Sequence, residues 1–335
     1  MKGKFCGILL SALLLVQSTY ANAEYDENIG CDVPCCGWGT FEIGGEWLYW
    51  RADQDSMNYA IHNTSVTENG GTILDEFRSP VGPKFAGKSG YRLFASYETA
   101  DTNWKVGAIF THAPSNASSS VLSPTPVLAS DFIQVLAVNF ALLNDLTLAN
   151  FSETSAQWDV KVNYFDLDLQ RNISLCQYFD IAPHVGFRAL WIEQSFHWNG
   201  VRSTGETHHG LAKLKVDGYG VEGGLLGKWN VGYGFSLIGN IGGSLLYSRV
   251  KSNGVLHSEL FPLTTNDHYA DTFHRSIPTF DTFIGVQYNT CLWDYNIGIR
   301  AGWENHIFFS VNQFSLNKTE NLSMQGLTLG GAFGF

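Results

Sequence analysis

The sequence predicts an all-β chain, a transmembrane antiparallel up-and-down β-barrel of about 10–14 strands with long external loops and short periplasmic turns. Three observations point there: an apolar strand that ends the chain on Phe335, connections that alternate between long and short, and strand faces bordered by aromatic residues. In the last stretch, "GLTLGGAFGF", Leu327, Leu329, Gly331, Phe333 and Phe335 fall on one side of an extended chain, and Thr328, Gly330, Ala332 and Gly334 on the other. A soluble domain would tuck such a strand into its core and follow it with solvated residues. A barrel must instead close its final strand beside its first.

The amino end reads "MKGKFCGILLSALLLVQSTYANA". Lys2 and Lys4 precede an apolar run from Ile8 to Val16, and Ala21-Asn22-Ala23 follows. This is the pattern of a secretory signal peptide over residues 1–23, with an apolar run too short to span a bilayer. The expected division is a signal peptide at 1–23, a cysteine-containing segment at 24–40 and the barrel at 41–335. The leader takes two of the 20 basic residues and none of the 31 acidic ones, so the mature chain has a formal charge of −13. A phosphate backbone needs a basic surface, so nucleic acid is not an expected partner.

Alternating segments recur from there to the end. Strands are expected near Phe41–Ala52, Gly90–Tyr97, Asn103–Thr111, Gln157–Gln170 and Asp180–Trp198, then near Ala212–Asn230, Phe235–Val250, Ile277–Asn289, Trp293–Phe308 and Leu322–Phe335. Residues 53–89, 112–156, 199–211, 251–276 and 309–321 are expected as long connections, with room for an extra strand pair in the first two. "ETAD", "NVGYG" and "NTCLW" are tight ones. Long loops gathered at one end fit an outer-membrane barrel better than a soluble sandwich.

Strand faces supply the second test. In "WDYNIGIRAGW", Trp293, Tyr295, Ile297, Ile299, Ala301 and Trp303 alternate with Asp294, Asn296, Gly298, Arg300 and Gly302. "FSLIGNIGGSLLY" sets Phe235, Leu237, Ile241, Leu245 and Tyr247 against Ser236, Asn240 and Ser244. An apolar band edged by Trp and Tyr is the lipid face of such a barrel. In "WDVKVNYFDLDLQ" the apolar set runs Trp158, Val160, Val162, Tyr164 and then shifts to Phe165, Leu167, Leu169, which predicts a β-bulge near Tyr164.

Other patterns weigh less. The five mature cysteines, Cys31, Cys35, Cys36, Cys176 and Cys291, are expected to pair in an oxidising compartment, and an odd number leaves at least one for an intermolecular bond or a free thiol. Adjacent Cys35 and Cys36 are poor partners for each other, but Cys31 or a neighbouring chain could serve either. No fourth ligand follows "CDVPCC" at a zinc spacing. "GYGVEG" at 218–223 lacks the strand-to-helix turn of a dinucleotide site and reads as glycines easing close packing in a barrel wall. Asp166 and Asp168 share a strand face and read as lumen lining; His208 and His209 read as loop residues. No motif joins a nucleophile to a base. No enzyme activity, cofactor or metal site is expected.

Six blocks, in order, carry a family resemblance: "GEWLYWRADQDSMNYA", "KSGYRLFASYETADTNWKVGAIFTH", "VNYFDLDLQRN", "PHVGFRALWIEQSF", "GKWNVGYGFSLIGNIGGSLLYS" and "LSMQGLTLGGAFGF". Together they resemble the major outer membrane protein-like porins of Legionella and chlamydia-related bacteria. The resemblance implies a pore-forming barrel that passes small solutes or ions across the outer membrane. It also implies disulfide-linked envelope proteins or a homo-oligomer as partners, through Cys31, Cys35 and Cys36. The alternative is a plugged barrel acting as adhesin or envelope scaffold.

If the barrel conducts, inward polar residues set its field. Strand parity nominates Arg92, Lys105, Lys161, Arg188 and Arg300, with Glu222 and Asp281 as counter-charges. Residues 131–144 are expected in an external loop, where Phe132, Val135, Leu136 and Leu142 fit a short amphipathic helix; the loop either folds inward to constrict the pore or packs as a lid over the barrel mouth. Leu327, Leu329, Phe333 and Phe335 form the expected assembly signal, read by the barrel assembly machinery as the strand enters outer-membrane lipid.

Overall fold

A computed structural model of the chain describes residues 39–54, 57–68, 72–100, 102–122, 132–135, 150–202, 204–260, 263–293, 295–315 and 318–335. The expected signal peptide and Cys31, Cys35 and Cys36 lie outside these residues. The strands run in chain order as β1 (Thr40–Gln54), β2 (Ala60–Glu68), β3 (Thr72–Val81), β4 (Lys84–Phe85) and β5 (Lys88–Glu98). There follow β6 (Trp104–Leu122), β7 (Phe132–Val135), β8 (Asn150–Arg171), β9 (Ile173–Cys176) and β10 (Phe179–Arg202). The last five are β11 (Thr207–Gly232), β12 (Phe235–Leu260), β13 (Leu263–Leu292), β14 (Tyr295–Ser315) and β15 (Lys318–Gly334).

Ten of these strands close a barrel: β1, β5, β6, β8 and β10 to β15. Each pairs antiparallel with the next, and the ring shuts where β15 meets β1, from Leu322↔Gln54 to Gly334↔Glu42. Closure leaves no strand edge facing lipid, where an unpaired peptide group would find no partner. Phe335 completes the seam. Its N–H donates to the Phe41 carbonyl, and the Phe41 N–H donates back to Phe335, both at 2.9 Å.

Both ends of the ring lie beside the tight turns. The β11–β12 turn is Tyr233-Gly234, with φ of 53° and 80°, so both central residues are left-handed as in a type I′ hairpin. The opposite end differs from expectation. The connections expected at 199–211, 251–276 and 309–321 are mostly strand: β10 runs to Arg202 and β11 starts at Thr207, β12 runs to Leu260 and β13 starts at Leu263, and β14 runs to Ser315 and β15 starts at Lys318. β13 begins at Leu263, well before the expected Ile277.

The reason is an inversion of both faces at one level of the wall. Below that level the outward side chains are apolar or aromatic: Phe41, Ile43, Trp47 and Tyr49 on β1, Phe187 and Trp191 on β10, Tyr219, Val221 and Leu225 on β11, and Leu237, Ile241, Leu245 and Tyr247 on β12. Above it they become Arg51 and Asp53, Glu193, Asp217 and Lys215, and Arg249. The stretch Phe41–Tyr49 matches the ~9–11 residues that a tilted transmembrane strand needs. The interior changes in the opposite sense: Glu46 gives way to Leu48 and Trp50, Asp166 to Tyr164 and Val162, Arg188 to Leu190 and Ile192, and Asp281 to Ile277. The upper half is thus a water-facing barrel with an apolar core, raised on a lipid-facing one with a polar interior.

This inversion corrects the bulge expected near Tyr164. β8 pairs with β10 in unbroken register from Gln170↔His184 to Glu153↔Val201. Trp158, Val160, Val162 and Tyr164 point inward, Phe165, Leu167 and Leu169 point outward, and Asp166 follows Tyr164 into the interior. A switch of environment, rather than an inserted residue, makes the apolar set change parity.

The extra strand pair foreseen in 53–89 is present as the β2–β3 hairpin. Of the segment 131–144, expected as a helix, Phe132–Val135 instead form β7, paired with β2 and the start of β8, where an open sheet edge takes up their backbone groups. The remainder of that segment lies outside the described residues.

Candidate functional site

The barrel interior at the level of the lipid band is built from ionisable side chains. Arg92 on β5 is its first centre. It donates to Glu46 at 2.7 Å, to both oxygens of Glu304 at 2.9 and 3.2 Å, to Thr111 Oγ1 at 3.0 Å and to the Tyr164 hydroxyl at 2.9 Å. Glu46 also accepts from Arg300, whose guanidinium lies over the Phe94 and Phe283 rings at 5.6 and 5.7 Å. Thr328 donates to Glu304 at 2.8 Å and accepts from the Trp50 indole at 3.2 Å.

Arg188 on β10 is the second centre. It holds Asp166 through Nε at 2.7 Å and a second nitrogen at 3.0 Å, a bidentate grip, and reaches Asp281 at 2.5 Å and Glu222 at 2.9 Å. Its guanidinium sits 5.0 Å from the Tyr164 ring. His306 joins the two centres, with Nδ1 2.7 Å from Asp281 and Nε2 3.1 Å from Glu304.

The network crosses the barrel. Tyr164 on β8 and His306 on β14 stand on opposite walls of the ten-strand ring, yet their ring centroids are 5.7 Å apart. Immediately above, Trp50, Trp158, Trp198, Phe151, Phe308, Leu190, Ile192, Leu214, Leu246 and Ile277 are fully buried in one cluster. β11 and β14, three places apart in the ring, approach within 8 Å between Cα atoms, so the section is flattened. At these two levels side chains pack across the interior, as in other narrow barrels, whereas Lys105 and Glu42 nearer the turn end are part-exposed.

Strand parity therefore found most of the centre. Arg92, Arg188, Glu222, Asp281 and Arg300 all enter the network. Lys105 points inward near the turn end and pairs with Glu42 at 2.5 Å, apart from both centres. Lys161 is a correction: it lies on the outer surface above the lipid band, opposite Glu193. The apolar residues that alternate with it, Val160 and Val162, line the interior at that height, so the lysine faces out. Glu46, Glu304 and His306 were missed. Extending the Arg300 parity two and three steps up β14 reaches Glu304 and His306, and Glu46 alternates with Trp47 in the same way.

The remaining expectations have definite places. Asp166 and Asp168 face the interior, as their shared strand face required. "GYGVEG" lies inside β11, where a Cβ at Gly220 would collide with the Leu245 carbonyl oxygen. His208 is a correction. It is buried in β11 rather than loose, with Nδ1 2.9 Å from Ser258 Oγ; His209 is exposed. Cys176 ends β9 and Cys291 lies near the end of β13, both at the turn end.

The model of the family described as Legionella pneumophila major outer membrane protein precursor matches residues 32–335. The chain belongs to this family. It is a transmembrane β-barrel of the bacterial outer membrane. No curated protein matches this member of the family. Among solved structures, the outer membrane protease OmpT of Escherichia coli is 12% identical, with 88% of this chain and 97% of that one covered and a TM-score of 0.40. A major outer membrane protein of Thermus thermophilus is 11% identical, covering 89% and 99%, at 0.35. OprG of Pseudomonas aeruginosa is 12% identical, covering 89% and 97%, at 0.25. Likeness at this level is weak, and the family member's architecture rests on its own strand pairing.

Proposed function

We propose that this protein works as a plugged outer-membrane barrel that carries its water-facing β-structure outside the cell as an adhesin or envelope scaffold. The observation that carries this reading is the filled interior, with the Arg92–Glu304–His306–Asp281–Arg188 network at one level and a tryptophan-rich core above it. A through-path would have to unpack both. Strands such as the 26-residue β11 and β12 also reach far beyond the ~9–11 residues that crossing requires, which invests the chain in external structure. The reading is non-enzymatic, since the buried acids are engaged by arginines.

The second reading is a porin for small solutes or ions, favoured by ionised residues held inside the membrane band, where they commonly mark a transport path. Single-channel conductance of refolded protein in planar bilayers separates the two. Folded, heat-modifiable protein without discrete openings is the expected result. Stable openings, with a reversal potential set by the lumen charges, would replace the scaffold reading with the porin.

A further inference from the structure

The outer surface just above the lipid band is strongly uneven in charge. On a chain with a formal net charge of −11, Lys161, Lys213, Lys215, Arg249 and Lys251 gather on one side of the barrel. They stand on β8, β11 and β12, one to three outward positions above Phe165, Tyr219 and Tyr247 of the aromatic edge. Among the described residues Asp159, Glu193 and Asp217 balance them only in part on the same patch, three acids against five bases. Glu193 accepts from Lys215 at 2.8 Å and also lies opposite Lys161. Asp217 lies opposite Arg249.

The register adds a sharper feature. Lys215 on β11 is directly opposite Lys251 on β12. Like charges in a directly opposed pair destabilise a sheet, and Glu193 is shared with a second lysine. The cost falls if an anion sits between them. The height of the patch decides which anion, because residues next above an aromatic girdle face the headgroups of the outer leaflet. A freely soluble ligand would not require that height.

We infer that this patch binds the phosphate groups of outer-leaflet glycolipid, clamping a ring of lipid against β8 and β10 to β12. The inference holds whether or not the barrel conducts, because it concerns only the outer wall.

The test uses the full mature protein refolded into phosphatidylcholine vesicles, with binding of fluorescent bisphosphorylated lipid A followed by energy transfer from the girdle tryptophans. Wild type should prefer this lipid over its dephosphorylated form by about tenfold or more, a preference that weakens with salt. Combined Lys215→Gln, Arg249→Gln and Lys251→Gln should abolish the preference, while Lys84→Gln, away from the patch, should keep it. Heat-modifiable migration verifies folding; if the triple variant fails to fold, Lys251→Gln alone should still reduce the preference. Equal binding of the two lipids, or an unaffected folded variant, overturns the inference. So does competition by micromolar inorganic phosphate, which would make the patch a site for free anions.

Discussion

Tyr164 and His306 meet across the barrel at 5.7 Å between ring centroids, although they belong to opposite walls. Each also anchors an ion. The Tyr164 hydroxyl accepts from Arg92, and His306 lies between Asp281 and Glu304. The contact therefore joins two arginine-centred clusters and closes the interior where the lipid band ends. Its consequences can be tested one residue at a time.

Arg92→Ala removes the arginine shared by Glu46 and Glu304, both buried, and leaves them Arg300 and His306. Breaking a buried ion pair from one side costs about 3–5 kcal/mol, and the partners that remain offset part of it. The heat-modifiable transition of the variant should fall markedly. Adding Glu46→Gln and Glu304→Gln should restore much of the loss, since the penalty comes from unpaired charge rather than from the missing side chain. A triple variant as unstable as the single one would show that Arg92 acts through packing instead.

Trp198 is fully buried in the upper core, edge-on to Phe151 at 5.6 Å, and its indole donates to Thr154 at 2.7 Å. Trp198→Ala should destabilise that half by about 3–5 kcal/mol. Because the lipid-facing half has its own interior, limited proteolysis should cut the upper hairpins while the lower barrel stays folded in detergent. Simultaneous loss of both halves would contradict their independence.

His208 lies outside the lipid band, buried against Phe151 and hydrogen-bonded to Ser258. Burial, with nearby Arg202 adding to it, holds its pKa below the ordinary histidine value. The opened hairpin binds the proton more readily, so the stability His208 contributes is complete above about pH 6.5. It is lost as pH falls through the lower folded value. Protection of the amides around residues 204–212, taken relative to their intrinsic exchange rate at each pH, should fall between pH 7.5 and 5.5, and His208→Gln should flatten that change.

Phe335 is 54% exposed on the lipid face and meets Phe41 edge-on at 5.4 Å where the ring shuts. Phe335→Asp places a charge in the lipid band beside the closing seam. The amount of protein assembled in outer membranes should drop well below wild type in fractionated cells. Normal assembly would show that the terminal ring is dispensable.

Periodicity determined much of this protein in advance. The ten barrel strands, the tight turns, the closing role of the last strand and the inward set Arg92, Arg188, Glu222, Asp281 and Arg300 all follow from alternation by two and from the sites of glycine and aromatic residues. Alternation cannot say which face is wet, and that is where tertiary structure decided. Lys161 and Trp158 belong to the same strand as Leu167 and Asp166, and only the level of the bilayer tells that the first pair has its polar member outside and the second its polar member inside. The joining of Arg92 to Glu304 and of Tyr164 to His306 was likewise hidden. These partners lie far apart in sequence on strands that are not neighbours, and they meet only because ten strands close into a narrow, flattened ring.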